Sequence, residues 1–465
     1  MISKTKKSII PETSFKNQRA LSTNRVFLFV LPNALFTAML GMMVTFTLIF
    51  YVSVLGIPVI IFGIIYSLGL FIYAFMCIIW GFLADKYGKK KVLWISGILM
   101  AIVFTSVWTA PVPSKNETFG SIYIPTILWF IVFSVVFRIM SAAFQSIFYS
   151  LLLDVSTSEQ NRMKIAMINT FMSTIGFVVG MIIPFTITGV ATNNLQKDKT
   201  QLYYPASSTG QTIYFSIVIF SLVLSIIFFI SFILMNTKIQ IPSIARENIH
   251  SFRLMASHLA KPFRDKNYRL WLLCFLLFWL PFVAFQYLFL NVVTYLLSFR
   301  GIEFFLFIGL GVFIVFISIF LWQIFTKKYG IKKTMMLCLI SSSAVFAFHF
   351  ILFIPMPYII FLILEIILLY FLLFELVGIM GIPLVLMSNL IEQAKTSQKK
   401  DLSGAYAGAF VTTASIGSGI AMIFISVFLG LYGIDNPISY GFIFTVGSIL
   451  IFISFIIFQK IEVKN

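Results

Sequence analysis

Apolar residues in this chain come in long unbroken blocks separated by short polar gaps. The blocks span 26–52, 58–84, 91–110, 124–153, 163–190, 211–235, 268–298, 302–326, 333–354, 357–391, 403–432 and 436–459. About 20 apolar residues carry a helix across a hydrocarbon core of about 30 Å, and each block has that length. Because the blocks are continuous, with no two-residue alternation, they predict helices and exclude a β-barrel. The gaps hold the breakers: Gly56-Ile57-Pro58, the charged run 85–91, Pro111 and Pro113, the polar stretch 191–210, Gly301, Pro355 and Pro357, and Asp435-Asn436-Pro437.

Composition moves the solvent of these helices from water to lipid. Hydrophobic residues make up 60% of the 465 and charged residues 10%, against roughly 45–50% and 25% in soluble domains. The net charge of +18 would elsewhere suggest nucleic acid, but the basic residues sit in the gaps, so no nucleic-acid partner is expected. Counting alternate gaps, 28 Lys and Arg fall on the side of the N-terminus and 4 on the other. That asymmetry predicts both termini in the cytoplasm, with 1–25 and 460–465 as tails and an uncleaved first span. The Asn116-Glu117-Thr118 sequon then faces outward, where Asn116 could be glycosylated. Cys77, Cys274 and Cys338 lie inside apolar blocks at no ligand spacing, so neither a metal site nor a cofactor is expected.

The chain repeats itself. Trp80 to Lys91, containing Asp85-Lys86-Tyr87-Gly88, matches Trp322 to Lys333, containing Lys327-Lys328-Tyr329-Gly330, at an ungapped offset of 242. Val30-Leu31-Pro32 in the first block is answered by Trp279-Leu280-Pro281 in the seventh. Two six-helix bundles, 26–235 and 268–459, are therefore expected around a cytoplasmic linker at 236–267. Such duplication marks secondary transporters whose site lies between the repeats.

Gly81-x-x-x-Asp85-Lys86-x-Gly88-Lys89-Lys90-Lys91 resembles the loop motif between helices 2 and 3 of the major facilitator superfamily. Two further stretches resemble its glycoside–pentoside–hexuronide cation symporters, the relatives of melibiose permease. One runs from Tyr149 through Asp154, Glu159 and Arg162 to Pro184; the other runs from Pro383 through Asn389 and Glu392 to Gly404. The resemblance implies an all-α membrane fold of twelve helices and a cytoplasmic gate formed by Gly81, Asp85, Lys86, Gly88, Lys90, Asp154, Glu159 and Arg162. It also implies aspartates in helices 1, 2 and 4 for sugar and cation, but the matching positions are Thr37, Tyr73, Cys77 and Ser141. Symport of sodium and sugar in the melibiose permease manner is therefore not implied.

Ionisable groups inside the bilayer are costly, about 2.5–3.5 kcal/mol on insertion scales, and are functional candidates by default. The blocks hold Arg138 in the fourth helix and Glu365 and Glu375 in the tenth, with His349 at the outer end of the ninth. Arg138, Ser141, Gln145 and Tyr149 share one helical face. Asn33 and Thr37 follow Pro32, and Gln286, Tyr287 and Asn291 follow Pro281, as candidates on two more helices. Repeat alignment places Arg138 opposite Glu375, so a carboxylate moving toward and away from a guanidinium is expected to load and release a proton. Small residues line one face of the fifth helix (Asn169, Ser173, Gly176, Gly180) and of the eleventh (Gly404, Gly408, Thr412, Ser415, Gly419), which points to close helix packing.

The expected function is a secondary active transporter of a small organic solute in the plasma membrane, multi-pass and monomeric among its lipids, coupled to a proton or sodium. A lipid or lysolipid carrier of the same fold and a non-transporting sensor are the alternatives. An enzyme is not expected, since the acids are isolated, and ATP drive is not expected without a G-x-x-x-x-G-K-[ST] loop.

Overall fold

A computed structural model describes residues 22–114, 116, 118–155, 159–191, 202–204, 207–239, 261–299, 301–398 and 403–462. Apolar blocks in lipid have no water to satisfy their backbone, so they close their hydrogen bonds internally as helices. In chain order these are α1 (Thr23–Leu48), α2 (Val59–Tyr87), α3 (Lys89–Trp108), α4 (Ile124–Val155), α5 (Glu159–Ala191) and α6 (Ser208–Lys238). The second set is α7 (Lys266–Asn291), α8 (Gly301–Tyr329), α9 (Ile331–Phe348), α10 (Tyr358–Gln398), α11 (Ser403–Tyr432) and α12 (Pro437–Gln459). Among the described residues, 11 helices are long and apolar enough to cross a membrane, while α5 has a shorter apolar stretch at Phe171–Pro184. Large apolar side chains face outward along them, with Ile302 at 70%, Ile359 at 68% and Leu306 at 67% exposure. Such a surface belongs in hydrocarbon.

The packing repeats after six helices. Helix α1 packs on α5 and α6, α2 and α3 on α4, and α3 on α6. Adding six to each label gives the second set: α7 on α11 and α12, α8 and α9 on α10, and α9 on α12. Between the sets, α2 meets α11, α5 meets α8, and α1 meets α7. Local details repeat as well. Gly88 (φ 93°) breaks α2 from α3 and Gly330 (φ 78°) breaks α8 from α9, a left-handed conformation that favours glycine. A π-helical segment closes α1 at Ile49–Val54 and α7 at Val292–Leu296.

The prolines do not repeat at the same depth. Helices α1 and α7 both begin and end 243 residues apart, which puts Pro281 six residues beyond the position that matches Pro32. The sequence likeness of the two Leu-Pro segments thus differs in register from the helices that carry them.

Small residues set the closest approach, between α1 and α5. A Cβ built on Gly176 would strike the Ala34 carbonyl oxygen, and one on Gly180 the Ala38 carbonyl. The backbone of α1 occupies the space a side chain would need. Gly176→Ala and Gly180→Ala are each expected to cost about 1–3 kcal/mol by overpacking, seen as a lower melting temperature of the purified protein. Gly408 has nothing within 4 Å of its built Cβ, so Gly408→Ala is the neutral control.

Candidate functional site

The seam between the two sets holds a buried cation and two tyrosines. Arg138 on α4 is 5% exposed. Its guanidinium carbon lies 4.8 Å from the ring centre of Tyr66 on α2. Tyr287 on α7 meets the Tyr66 ring edge to face at 5.4 Å and lies beside Arg138. Gly69 lies against the Arg138 stem: a Cβ there would sit 3.4 Å from Arg138 Cγ, an ordinary contact. One half therefore supplies the cation and an aromatic face, and the other half supplies the ring that covers them.

The face shared by Arg138, Ser141 and Gln145 splits among neighbours. Ser141 Oγ points to Met100 Sδ on α3 at 3.8 Å. Gln145 Oε1 accepts from the Tyr73 hydroxyl on α2. On α1, Asn33 Nδ2 donates to Asn169 Oδ1 (3.0 Å) and Ser173 Oγ (2.9 Å) on α5, and the Thr37 hydroxyl reaches the Ser173 carbonyl at 2.9 Å. These two residues join α1 to α5. On α7, Gln286 and Asn291 are buried, and Gln286 Nε2 and both polar atoms of the Asn291 side chain have no hydrogen-bond partner.

The two acids of α10 face α9. Glu375 Oε2 accepts from Ser342 Oγ at 3.0 Å and lies 3.5 Å from Cys338 Sγ. Arg138 and Glu375 are not brought together, because α10 turns Glu375 toward α9 while α4 turns Arg138 toward α2 and α7. Glu365 and His349 are wholly buried, with Nε2 and Oε1 3.6 Å apart. His349 Nδ1 is 2.9 Å from the Val345 carbonyl, and its ring lies against Phe444 on α12 at 4.5 Å. Neither Glu365 oxygen has a hydrogen-bond partner.

At the ends of α1 and α7 that carry the π-helical segments, the seam is closed. The Tyr295 hydroxyl donates to Ser53 Oγ at 2.6 Å, between residues 242 apart in sequence, which is also the offset of the repeated loop. At the same end, a Cβ on Gly430 of α11 would lie 2.6 Å from Ile60 Cγ1 of α2. Farther along the seam, Gly419 faces the Phe71 ring and Thr412 Oγ1 is 3.5 Å from the Ala74 carbonyl. Where α5 meets α8, an open apolar crevice of about 210 Å³ is lined by Phe171, Ile175, Val178, Val312 and Phe316, with Phe171 and Phe316 exposed.

Of the gate residues named from sequence, Gly88 and Lys90 are exposed between α2 and α3. The side chains of Asp85, Lys86, Tyr149, Asp154, Glu159 and Arg162, and the surroundings of Gly81, lie outside the described residues. So does most of the 236–267 linker, while Asn116 is described and exposed. Sequence reasoning missed Tyr66, the Ser53–Tyr295 contact and the pairing of His349 with Glu365. Tyr66, Gly69 and Tyr73, at i, i+3 and i+7 on α2, formed a legible stripe for the first, and the sequence carried no signal for the other two.

Two six-helix sets related by a repeat, closed together at one end over a buried polar seam, define a transporter of the major facilitator fold. The family model described as MFS/sugar transport protein matches residues 28–458, and the chain belongs to that family, the melibiose permease-like branch of the superfamily. No curated protein matches the chain. Among solved structures, a variant of the nucleoside transporter NupG is 15% identical, with a TM-score of 0.64 over 93% of this chain and 100% of its own. The xylose transporter XylE from E. coli, partially occluded and inward open, is 13% identical with a TM-score of 0.65 over 94% and 98%. A bacterial homologue of the lysosomal transporter Spinster is 12% identical with a TM-score of 0.60 over 95% and 98%. At these identities the likeness is one of fold.

Proposed function

We propose that the chain moves a small organic solute across the cell membrane by alternating access, with a proton or sodium ion coupled to it. The observation that carries this is the division of the buried seam, in which Arg138 and Tyr66 belong to one half and their cover, Tyr287, to the other. Rocking the halves about the seam uncovers these groups to one side or the other. In this reading the chain crosses twelve times with both termini cytoplasmic, and the Ser53–Tyr295 end faces outward. The protein works as a monomer among membrane lipids.

The α10 acids are the groups that carry a coupling proton, with Glu375 held by Ser342 and Glu365 beside His349. Counterflow in proteoliposomes tests transport itself: preloaded xylose, a nucleoside or an organic acid should draw in its labelled form. The absence of exchange across a broad solute panel contradicts the proposal.

The apolar α5–α8 crevice favours a second reading, in which the solute is a lysolipid with its chain in that crevice. Uptake of labelled lysolipid should then be unaffected by excess sugar, and Val178→Trp or Val312→Trp should block it.

A further inference from the structure

We propose that the solute carries an oxyanion, a carboxylate or phosphate, and that Arg138, held beside Tyr66 and Tyr287, binds it when the halves part. The inference rests on the transporter reading above and deepens it. Arg138 is 5% exposed, and its Nη2 has no hydrogen-bond partner. Among the described residues no carboxylate lies within ion-pair distance: Glu375 is engaged by Ser342, and Glu365 faces His349. The Tyr66 ring face and the hydrogen bonds of Tyr66 and Tyr287 recover only part of the cost of a buried cation with no carboxylate beside it.

The same stretch of α7 carries further unpartnered donors. Gln286 Nε2 is without a partner, next in sequence to Tyr287. Asn291, one turn farther along α7 than Tyr287, is fully buried with its Nδ2 also unpartnered. A guanidinium presents its N–H groups as a planar fork that matches a carboxylate or phosphate with two parallel bonds. The seam thus offers a buried positive fork flanked by two tyrosines, suited to an oxyanion on a flat or ring-shaped solute. Tyr287 belongs to the opposite half from Arg138, so parting of the halves removes the cover and admits the anion.

Matched pairs test this on the full chain in nanodiscs: glucuronate against xylose, adenosine monophosphate against adenosine, and lysophosphatidate against monoacylglycerol. The first two pairs read a free solute and the third a lipid head group. At least one anion should bind about tenfold or more tightly than its neutral partner. Arg138→Gln should abolish that preference. Arg138→Lys, which keeps the charge but loses the fork, should retain the preference with severalfold weaker binding, and it decides the matter if Arg138→Gln does not fold. Equal binding of neutral and anionic partners, a preference that survives Arg138→Gln, an unchanged affinity in Arg138→Lys, or no binding by any anion overturns the proposal. Counterflow of the same pairs separates the two readings. Exchange of neutral solutes alone leaves the transporter standing without the anion site, and Arg138-dependent binding without exchange does the reverse.

Discussion

Glu365→Gln is expected to abolish solute accumulation driven by a pH gradient while leaving counterflow and melting temperature close to those of the parent protein. The expectation follows from how the carboxyl is placed. Glu365 is wholly buried, neither oxygen accepts a hydrogen bond among the described residues, and His349 lies 3.6 Å away. An ionised carboxylate buried without donors costs several kcal/mol, and one proton shared with the imidazole removes that cost. Glutamine keeps the shape of the side chain and cannot exchange the proton. A carrier with this change still exchanges solute down its gradient but no longer couples that movement to protons. His349→Gln should give the same separation, because it removes the partner.

Glu375→Gln is expected to have the smaller effect, since a glutamine carbonyl can still accept from Ser342. The competing explanation is a pair that holds α9 to α10 and does nothing else. Breaking a buried pair costs about 3–5 kcal/mol, so in that case Glu365→Gln lowers the melting temperature sharply and leaves pH-driven accumulation intact in whatever folds. Gradient-driven accumulation at the parent level in a stable Glu365→Gln protein removes the residue from coupling.

The fold was largely legible because lipid imposes a simple code: long apolar blocks must be helices, and polar gaps must lie outside. The starts and ends of α4, α11 and α12 fall within two residues of the blocks at 124–153, 403–432 and 436–459. The loop repeat at offset 242 found the duplication, which the packing of α1 to α6 and α7 to α12 repeats. The site was legible only as a set of residue types. Arg138 aligns two residues from Glu375 in the repeat, yet each helix turns its charge by its own local packing, and only the helix neighbours decide that direction. Asn33 and Thr37 illustrate the same point: as polar residues beside a proline they read as ligand groups, but Asn169 and Ser173 on α5 take up their hydrogen bonds. Aromatic residues hid the rest. Among 55 Phe and 18 Tyr, the Tyr66–Gly69–Tyr73 stripe marks a face of α2 but not which of its rings lies under the guanidinium.

For solute to pass, the two halves must part at the Ser53–Tyr295 end. Ile60 on α2 and Gly430 on α11 meet across the seam at that end, with a Cβ on Gly430 placed 2.6 Å from Ile60 Cγ1, close enough for a disulfide after a small adjustment. The native Cys77, Cys274 and Cys338 are buried and unpaired, so an Ile60→Cys/Gly430→Cys protein can be oxidised at the new pair. Counterflow measured in proteoliposomes before oxidation, after oxidation and after reduction is the direct test. The account predicts exchange in the reduced protein, its loss to background on oxidation and its return with reductant, whereas exchange at the full rate in the fully crosslinked protein would contradict it.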